Sequence, residues 1–307
     1  MKKILLVYDI SGWIFYRHCE EIKKRLSHKY LIDMVSHNND IYVLSEKYDL
    51  VYVLDPMPIK YPPQNKTIMG LRAEWFHTLN KNGPIGTYEN GFHCASLKNK
   101  CCILHVVNKR QLELFKPIVT DKPLLLVQHG VDETCFDKSL YNNNVRDEFV
   151  VGISGRVDSP NKKGFEIVNS VCNNMGIKYI TTKFRGGVKL TKKEMPSFYR
   201  EMDVYICMSE TEGLCNTIME AGAMGIPVIS TRSGAAEEMI EDSISGLLVE
   251  RSSIGLEKAL RFMVENKEKR LEMGNNFYKE IMKNWAWKVK IKEYEDMFDL
   301  YFNMRKE

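Results

Sequence analysis

Short apolar runs alternate with stretches of helical periodicity along the whole chain. Apolar runs of four to eight residues predict buried strands, and an apolar stripe such as Cys19, Ile22 and Leu26 predicts a helix over 14–26. Strands alternating with helices are typical of a parallel α/β sheet. The predicted strands are Lys3–Tyr8, Tyr30–Val35, Asp49–Leu54, Lys66–Gly70, Cys101–Val107, Pro123–Val127, Phe149–Arg156, Lys178–Thr181, Val204–Met208, Pro227–Thr231 and Ser245–Val249.

The chain is long enough for two domains. It has 307 residues, and an Asn-rich polar run over 141–147 has the composition of a linker. We predict one domain over 1–145, a second over 146–285 and a C-terminal helix over 286–307. The apolar stripe of that helix predicts packing on the first domain, with a partner or a membrane face as the alternative.

The stretch 209–230 lies between two predicted strands and offers the clearest candidate chemistry. Gly213 opens a turn, and Asn216 or Thr217 can cap a helix that ends before Gly225. Loop amides and a helix start form a positive end that suits a phosphate. Glu212 and Glu220, with seven residues between them, can accept hydrogen bonds from sugar hydroxyls. Together these groups match a nucleotide sugar.

The same stretch carries a family pattern. Glu212-x7-Glu220, followed by Ala221-Gly222-Ala223-x-Gly225-x-Pro227-Val228, resembles the signature of glycosyltransferase family 4. The resemblance implies the α/β GT-B fold, in which two Rossmann-like domains face a cleft and a C-terminal helix crosses back to the N-domain. It also implies retention of configuration at the transferred sugar.

The resemblance assigns roles to residues of the second domain. Glu220 would hold ribose hydroxyls, and Glu212 would face hydroxyls of the sugar. Arg156 and Lys163 would contact the donor diphosphate, and Lys162 stays open as an alternative to Lys163. The alternative without a function is a surface loop that happens to contain these cations. Arg156, Lys163 and Glu212 are the predicted catalytic residues. The further donor-binding residues are Gly155, Gly213, Leu214, Cys215, Asn216, Thr217 and Glu220.

The acceptor side is less well marked. The family's first loop has two glycines, whereas this chain has only Gly12 there. Where the family has a histidine after a strand, this chain has Arg72, and the nearest histidine is His77. His93 follows an Asn- and Gly-rich loop region. We predict Gly12, Arg72, His77 and His93 on the acceptor or sugar side; packed or surface histidines are the alternative.

No metal or other cofactor is expected. The sequence has no Asp-x-Asp motif, and its eight cysteines form no C-x-x-C pair and no metal-ligand spacing. Buried free thiols in a reducing compartment are therefore expected. Cys215 is predicted to be a small packing residue of the loop and not a nucleophile. Only its backbone amide is expected to contact the donor.

Charge is distributed unevenly between the two halves. Residues 1–130 have 18 Lys and Arg against 12 Asp and Glu, and residues 131–307 have 26 against 28. The basic half favours a phosphate-bearing acceptor or an anionic membrane surface, or it reflects solvated helix faces. Nucleic acid lacks support, since aromatic and basic residues do not form a stacking pattern. The apolar run at the N-terminus is too short for a signal peptide, so a cytoplasmic protein, with peripheral membrane contact as an option, is expected.

The sequence thus predicts a metal-independent retaining glycosyltransferase of glycan biosynthesis. It would move a sugar from a nucleoside diphosphate donor to a hydroxyl of a glycan, a lipid-linked saccharide or a small molecule. Two alternatives stay open. A sugar-nucleotide epimerase on the same fold would need no acceptor, and a non-catalytic protein would bind nucleotide sugars without releasing nucleotide.

Overall fold

Contacts between residues divide the chain into two compact units. A computed structural model describes residues 1–72, 98–117, 119–140, 148–156, 163–184 and 190–305. The first unit is Met1–His129 with Lys290–Glu307, and the second is Gly130–Val289. The division after His129 comes earlier in the chain than the predicted boundary at 145.

The segment after Gly130 joins the second unit through its own hydrogen bonds. The Val131 amide donates to the Trp285 carbonyl at 2.8 Å, and the Trp287 amide donates to the Val131 carbonyl at 3.0 Å. Lys138 adds a bond from Nζ to Asn275 Oδ1 at 2.7 Å. These contacts hold 130–140 on unit 2, although the polar run that suggested a linker comes later.

Unit 1 is built on a parallel sheet with the strand order β2-β1-β3-β4-β5-β6. Its strands are rich in Leu, Ile and Val because helices cover both faces of such a sheet. The strands are β1 (Lys3–Tyr8), β2 (Leu31–Ser36), β3 (Leu50–Val53), β4 (Thr67–Leu71), β5 (Ile103–Val106) and β6 (Leu124–Leu126). The described helices before the second unit are α1 (Ile14–Leu26), α2 (Ile41–Ser45) and α3 (Lys109–Phe115), with 3-10 turns at Gln64–Lys66 and Lys98–Lys100.

Residues 290–305 complete the core of unit 1. Phe298 and Tyr301 are fully or almost fully buried there. The Tyr301 hydroxyl donates to the Asp49 carbonyl at 2.7 Å, and Lys29 forms ion pairs with Glu295 and Asp299. The apolar stripe seen in the sequence therefore faces the interior of this unit.

Unit 2 repeats the same topology with one strand fewer among the described residues. Its parallel order is β11-β10-β9-β7-β8. The strands are β7 (Val150–Arg156), β8 (Lys178–Phe184), β9 (Val204–Cys207), β10 (Val228–Thr231) and β11 (Gly246–Val249). The described helices are α4 (Phe165–Met175), α5 (Met195–Tyr199), α6 (Asn216–Ala223), α7 (Ala236–Met239), α8 (Ser253–Glu265) and α9 (Lys267–Glu280); a 3-10 turn (Lys138–Leu140) and a π turn (Ile281–Trp285) belong to the same unit, and α10 (Trp287–Met304) follows.

Three predicted elements of unit 2 differ from the structure. The sequence over 193–203 predicts one helix leading into a strand, whereas the structure has a helix only over Met195–Tyr199, because Met202 packs against Gly152 and turns the chain into β9. Strand β8 continues to Phe184, since it pairs with β7 as far as Arg156. Cys215, rather than Asn216 or Thr217, is the N-cap of α6. Among the helices that the structure describes, none has the length and apolarity to cross a membrane.

Candidate functional site

The predicted donor-binding residues of the second unit gather at one edge of its sheet. Strands β7 and β9 lie side by side, although β8 comes between them in sequence. Such a reversal of strand order leaves a crevice at the carboxyl ends of the strands, where ligands bind in open α/β sheets. Gly155 and Arg156 end β7, and the loop 208–215 leaves the end of β9. The sequence motif therefore lies at the topological switch point.

The loop after β9 is held in place by the segment that follows β10. Thr231 Oγ1 donates to the Ser209 carbonyl at 2.5 Å, and the Ala235 amide donates to the Gly213 carbonyl at 3.2 Å. Gly234 has φ +56° and lies so close to the loop that a Cβ would collide with the carbonyls of Glu212 and Gly213. Only glycine fits this left-handed, crowded position without strain. The segment 231–235 thus fixes the position of the loop.

Glu212 is paired with Lys163 at the centre of this edge. Lys163 Nζ forms an ion pair with Glu212 Oε1, and Ser209 Oγ donates to the same oxygen at 2.6 Å. Burial alone would lower the pKa of Lys163, but the charge of Glu212 outweighs it and raises that pKa above its ordinary value. Lys163 therefore presents a permanent positive charge beside the loop.

Glycines next to Lys163 let it approach. Gly164 is the N-cap of α4 with φ +73°, and a Cβ there would collide with Met208 at the end of β9. The side chain of Lys163 runs along Gly155. Its carbons would lie in ordinary van der Waals contact, 3.5 Å, with a Cβ added to that glycine. Close packing of Gly164 on the end of β9 thus brings Lys163, the residue before the N-cap of α4, to the carboxylate on the β9 loop.

Two thiols lie directly under the loop. Cys207 Sγ and Cys215 Sγ are 3.9 Å apart, and Cys215 Sγ is 3.2 Å from Thr217 Oγ1. The contact between the thiols lowers the pKa of Cys207 and, together with burial, raises that of Cys215. With Glu212 they place three potential metal-ligand atoms within 4.8 Å of one another.

Helix α6 supplies the anion-binding end that the sequence predicted. The side chain of its N-cap, Cys215, makes no hydrogen bond to the helix backbone. The first amides of a helix have no intrahelical carbonyl partner and carry a partial positive charge. The amides of 214–217 and the ammonium of Lys163 therefore offer positive groups at one edge, as a diphosphate requires.

Glu220 lies one turn into α6 and is buried apart from the loop. Its Oε2 accepts a hydrogen bond from the Tyr199 hydroxyl at 2.8 Å. Burial and the nearby carboxylate of Glu220 raise the pKa of Tyr199, so the phenol stays a proton donor. Tyr205 extends the network by bonding Thr217 Oγ1 at 2.7 Å and Ser154 Oγ at 2.9 Å. Sequence reasoning missed both tyrosines, since neither belongs to the motif.

The four predicted acceptor-side residues lie in the first unit or outside the described residues. Gly12 forms an exposed turn after β1 with φ +77° and open space around it. Arg72 is buried after β4, where its guanidinium donates to Tyr52, Tyr294 and His18 at 2.6–2.8 Å. His77 and His93 lie outside the described residues. Their acceptor roles stay predictions.

Part of the second unit matches a known family of proteins. Residues 178–280 match the family model "Glycosyl transferases group 1". An "uncharacterized glycosyltransferase" of Methanocaldococcus jannaschii is 32% identical over 111 residues, which are 34% of this chain and 31% of that protein. The chain therefore spans less than a third of that relative's length.

Solved structures match almost the whole chain. Sucrose-phosphate synthase of Thermosynechococcus elongatus superposes with a TM-score of 0.76 at 12% identity, covering 99% of this chain and all of that one. Anabaena HepE, solved in complex with UDP-glucose, gives 0.71 at 13% identity over 97% of this chain and 100% of that one. At these identities the likeness establishes the fold.

Proposed function

We propose that this chain, a GT-B protein with a group 1 glycosyl transferase domain in its second unit, moves a sugar from a nucleoside diphosphate sugar to a hydroxyl acceptor. The observation that carries the proposal is the meeting of Lys163, Glu212 and the start of α6 at the β7–β9 crevice. Glu212 and the start of α6 belong to the region 178–280 that matches the family model, and Lys163 precedes that region in the sequence. A cation, helix amides and a carboxylate fit the diphosphate and the sugar of such a donor.

In this mechanism the protein stabilises the departing nucleoside diphosphate. Negative charge grows on the diphosphate as the glycosidic bond breaks, and Lys163, Arg156 and the amides of 214–217 offset it. Glu212 orients the sugar, and Glu220 holds the ribose hydroxyls. The acceptor hydroxyl attacks the face from which the diphosphate leaves, so configuration is retained and no enzyme nucleophile is needed. We propose that the reaction requires no metal and that the acceptor is a saccharide, lipid-linked or free.

A binding screen and a turnover assay test this function. We expect one nucleoside diphosphate and its sugar to raise the melting temperature of the full chain without metal, and added magnesium to change little. The same nucleotide sugar should release nucleoside diphosphate when an acceptor is supplied. Conversion of the donor without an acceptor would indicate an epimerase, and binding without release of nucleotide would indicate a non-catalytic protein.

Substitution of the two cations tests the mechanism. We expect Lys163→Ala and Arg156→Ala each to lose on the order of 2–4 kcal/mol of transition-state stabilisation, a fall in kcat of roughly 30- to 1000-fold. Lys269→Ala removes an exposed lysine that pairs with Glu272 on α9 and is the matched control. Wild-type turnover in both site variants would refute the assignment of the cations.

A further inference from the structure

The side chains of Cys207, Glu212 and Cys215 form a cluster that the proposed transfer reaction does not use as a unit. Cys207 ends β9, Cys215 caps α6, and Glu212 lies in the loop between them. Both cysteines are free thiols and almost fully buried. Their sulfurs and a carboxylate oxygen of Glu212 all lie within 4.8 Å of one another. The fold thus brings three potential ligand atoms close together.

The separation of the sulfurs fits a shared ion better than a disulfide bond. Two thiolates bound tetrahedrally to zinc at about 2.3 Å lie about 3.8 Å apart. The observed separation of Cys207 Sγ and Cys215 Sγ is 3.9 Å. A disulfide would require the same sulfurs to approach to about 2.05 Å. One edge of a tetrahedral site is therefore already formed.

Charges around the cluster balance when a dication binds. Two thiolates and the Glu212 carboxylate carry three negative charges, and Lys163 contributes one positive charge through its ion pair with Glu212. A divalent cation makes the group neutral, which removes most of the cost of burying it. Neighbouring hydroxyls already orient the ligands, since Ser209 donates to Glu212 at 2.6 Å and Thr217 contacts Cys215 at 3.2 Å. Such outer contacts are typical of metal sites.

We propose that Cys207, Cys215 and Glu212 form a binding site for one soft divalent cation, such as zinc, with water in the fourth position. Each thiol gives its proton to solvent as its sulfur binds the ion. Thiolates select zinc or cadmium over magnesium, which prefers oxygen ligands in octahedral geometry. The site is therefore independent of any requirement for magnesium.

Occupation of this site would compete with the donor. This consequence, unlike the site itself, rests on the proposed function, in which Glu212 faces the sugar and the amides of 214–217 meet the diphosphate. A cation that takes the Glu212 carboxylate removes that acceptor from the sugar. Zinc is then an inhibitor that acts through the donor loop.

Direct metal titration of the full chain tests the site. Under reducing conditions, zinc is titrated against a chromophoric chelator, and cadmium is followed by its thiolate charge-transfer absorption. We expect the wild type to bind one equivalent that the double variant Cys207→Ala/Cys215→Ala does not bind. Loss of an outer partner of a metal ligand typically weakens binding about 10–100-fold, so loss of a ligand in Glu212→Gln should weaken it at least about tenfold.

Matched controls keep the outcome decisive. Cys172→Ala removes a buried thiol of the same unit, in α4, and should leave the titration unchanged. Glu212→Gln keeps both cysteines and the shape of the loop, so it tests the site even where the double variant folds poorly. Absence of a tight equivalent in the wild type, or its persistence in the double variant, would overturn the proposal.

A donor-binding arm separates this proposal from the proposed function. Thermal shifts with the selected nucleoside diphosphate sugar are measured with and without one equivalent of zinc. Zinc should reduce the thermal shift in the wild type and leave it unchanged in the double variant. Because the double variant lacks the site, it shows how much of any reduction comes from zinc bound to the nucleotide itself. Zinc binding without any donor shift in metal-free protein would refute the transfer function and leave the site standing. If zinc binds but leaves the donor shift of the wild type unchanged, the competition is refuted and the metal site still stands.

Discussion

Among the ion pairs of the second unit, Asp132 and Lys192 are well shielded from water. Lys192 Nζ lies 2.6 Å from Asp132 Oδ2, and the Asp132 side chain is only 10% exposed. Thr134 donates to Asp132 Oδ1 from its amide at 3.0 Å and from its hydroxyl at 2.7 Å. Burial alone would raise the pKa of Asp132, but Lys192 and Thr134 together lower it to about 2.

The lowered pKa of Asp132 predicts an acid-sensitive contribution to stability. A carboxyl whose folded pKa is depressed stabilises the protein above its unfolded pKa and loses that contribution as pH falls towards the folded value. We expect Asp132→Asn to lower the free energy of unfolding by about 2 kcal/mol at pH 7. The difference from wild type should shrink between about pH 4 and pH 2. Urea unfolding across this range measures it.

An exposed acid provides the control for this pH dependence. Glu272 forms an exposed ion pair with Lys269, so Glu272→Gln should change the free energy of unfolding by less than about 1 kcal/mol at every pH. If Asp132→Asn and Glu272→Gln behave alike, the Asp132 pair is no more than a surface ion pair.

Individual contacts at the site were only partly predictable. Glu212 and Glu220 stand out because the motif spaces them around a glycine turn and a helix start. The contact of Cys207 with Cys215 depends on how sharply the loop returns from β9 to α6, and no local pattern encodes that. The bond from Tyr199 to Glu220 likewise joins separate elements, α5 and α6. The one signal in the sequence for this contact was a tyrosine, Tyr199, in an apolar segment shortly before the acidic motif.

At the scale of elements, α6 is positioned by the helices that pack beneath it. Gly222 lies against Phe277 of α9 and Ile281 of the π turn, and a Cβ added there would come within 2.6–2.8 Å of their side chains. The glycine in the Ala-Gly-Ala part of the motif therefore serves close helix packing. Its place in the motif reflects architecture as much as ligand binding.

Gly222→Ala should destabilise the second unit despite the better helix propensity of alanine. The propensity gain is about 1 kcal/mol, whereas overpacking a tight core typically costs about 1–3 kcal/mol. We expect a net loss of about 1 kcal/mol in the free energy of unfolding, measured by urea titration. In a Phe277→Leu background the added methyl group has more room, so its cost should fall. An equal cost in both backgrounds would contradict the packing explanation.

Elements with a clear apolar pattern of their own were predicted well, and the helix over 14–26 was predicted with the bounds of α1. Central strands such as β3, β4, β9 and β10 are buried along their whole length and appear in the sequence as short apolar runs. Strand β1, buried from Ile4 to Tyr8, was predicted with its observed bounds. Helix ends depend on contacts made elsewhere. The predicted helix over 193–203 is cut short by the packing of Met202 on Gly152, which the sequence does not reveal.

At the scale of the whole molecule, the division into two units separates stability from donor binding. Phe298 is completely buried in unit 1, with its ring 5.9 Å from those of Tyr30 and Tyr52. The proposed donor residues all belong to unit 2. A change in the core of one unit need not alter a binding site built within the other.

Phe298→Ala tests this separation. Removing a buried phenylalanine side chain should cost about 3–5 kcal/mol of stability. The affinity for the nucleoside diphosphate, measured by calorimetry below the melting transition, should stay within about twofold of wild type. Phe277→Ala, beneath α6 in unit 2, is the matched control and should reduce both stability and affinity. A loss of affinity in Phe298→Ala equal to that in Phe277→Ala would refute the separation.

The buried Arg72 gives the order of synthesis a consequence. Its guanidinium is always charged and donates to the Tyr294 hydroxyl at 2.6 Å as well as to Tyr52 and His18. One of the three partners of this buried charge is therefore missing until residue 294 leaves the ribosome. Domains usually fold in the order in which they emerge. Here the sheet made first must wait through the synthesis of the entire second unit, and a nascent chain paused before residue 290 exposes an unfinished first unit to chaperones.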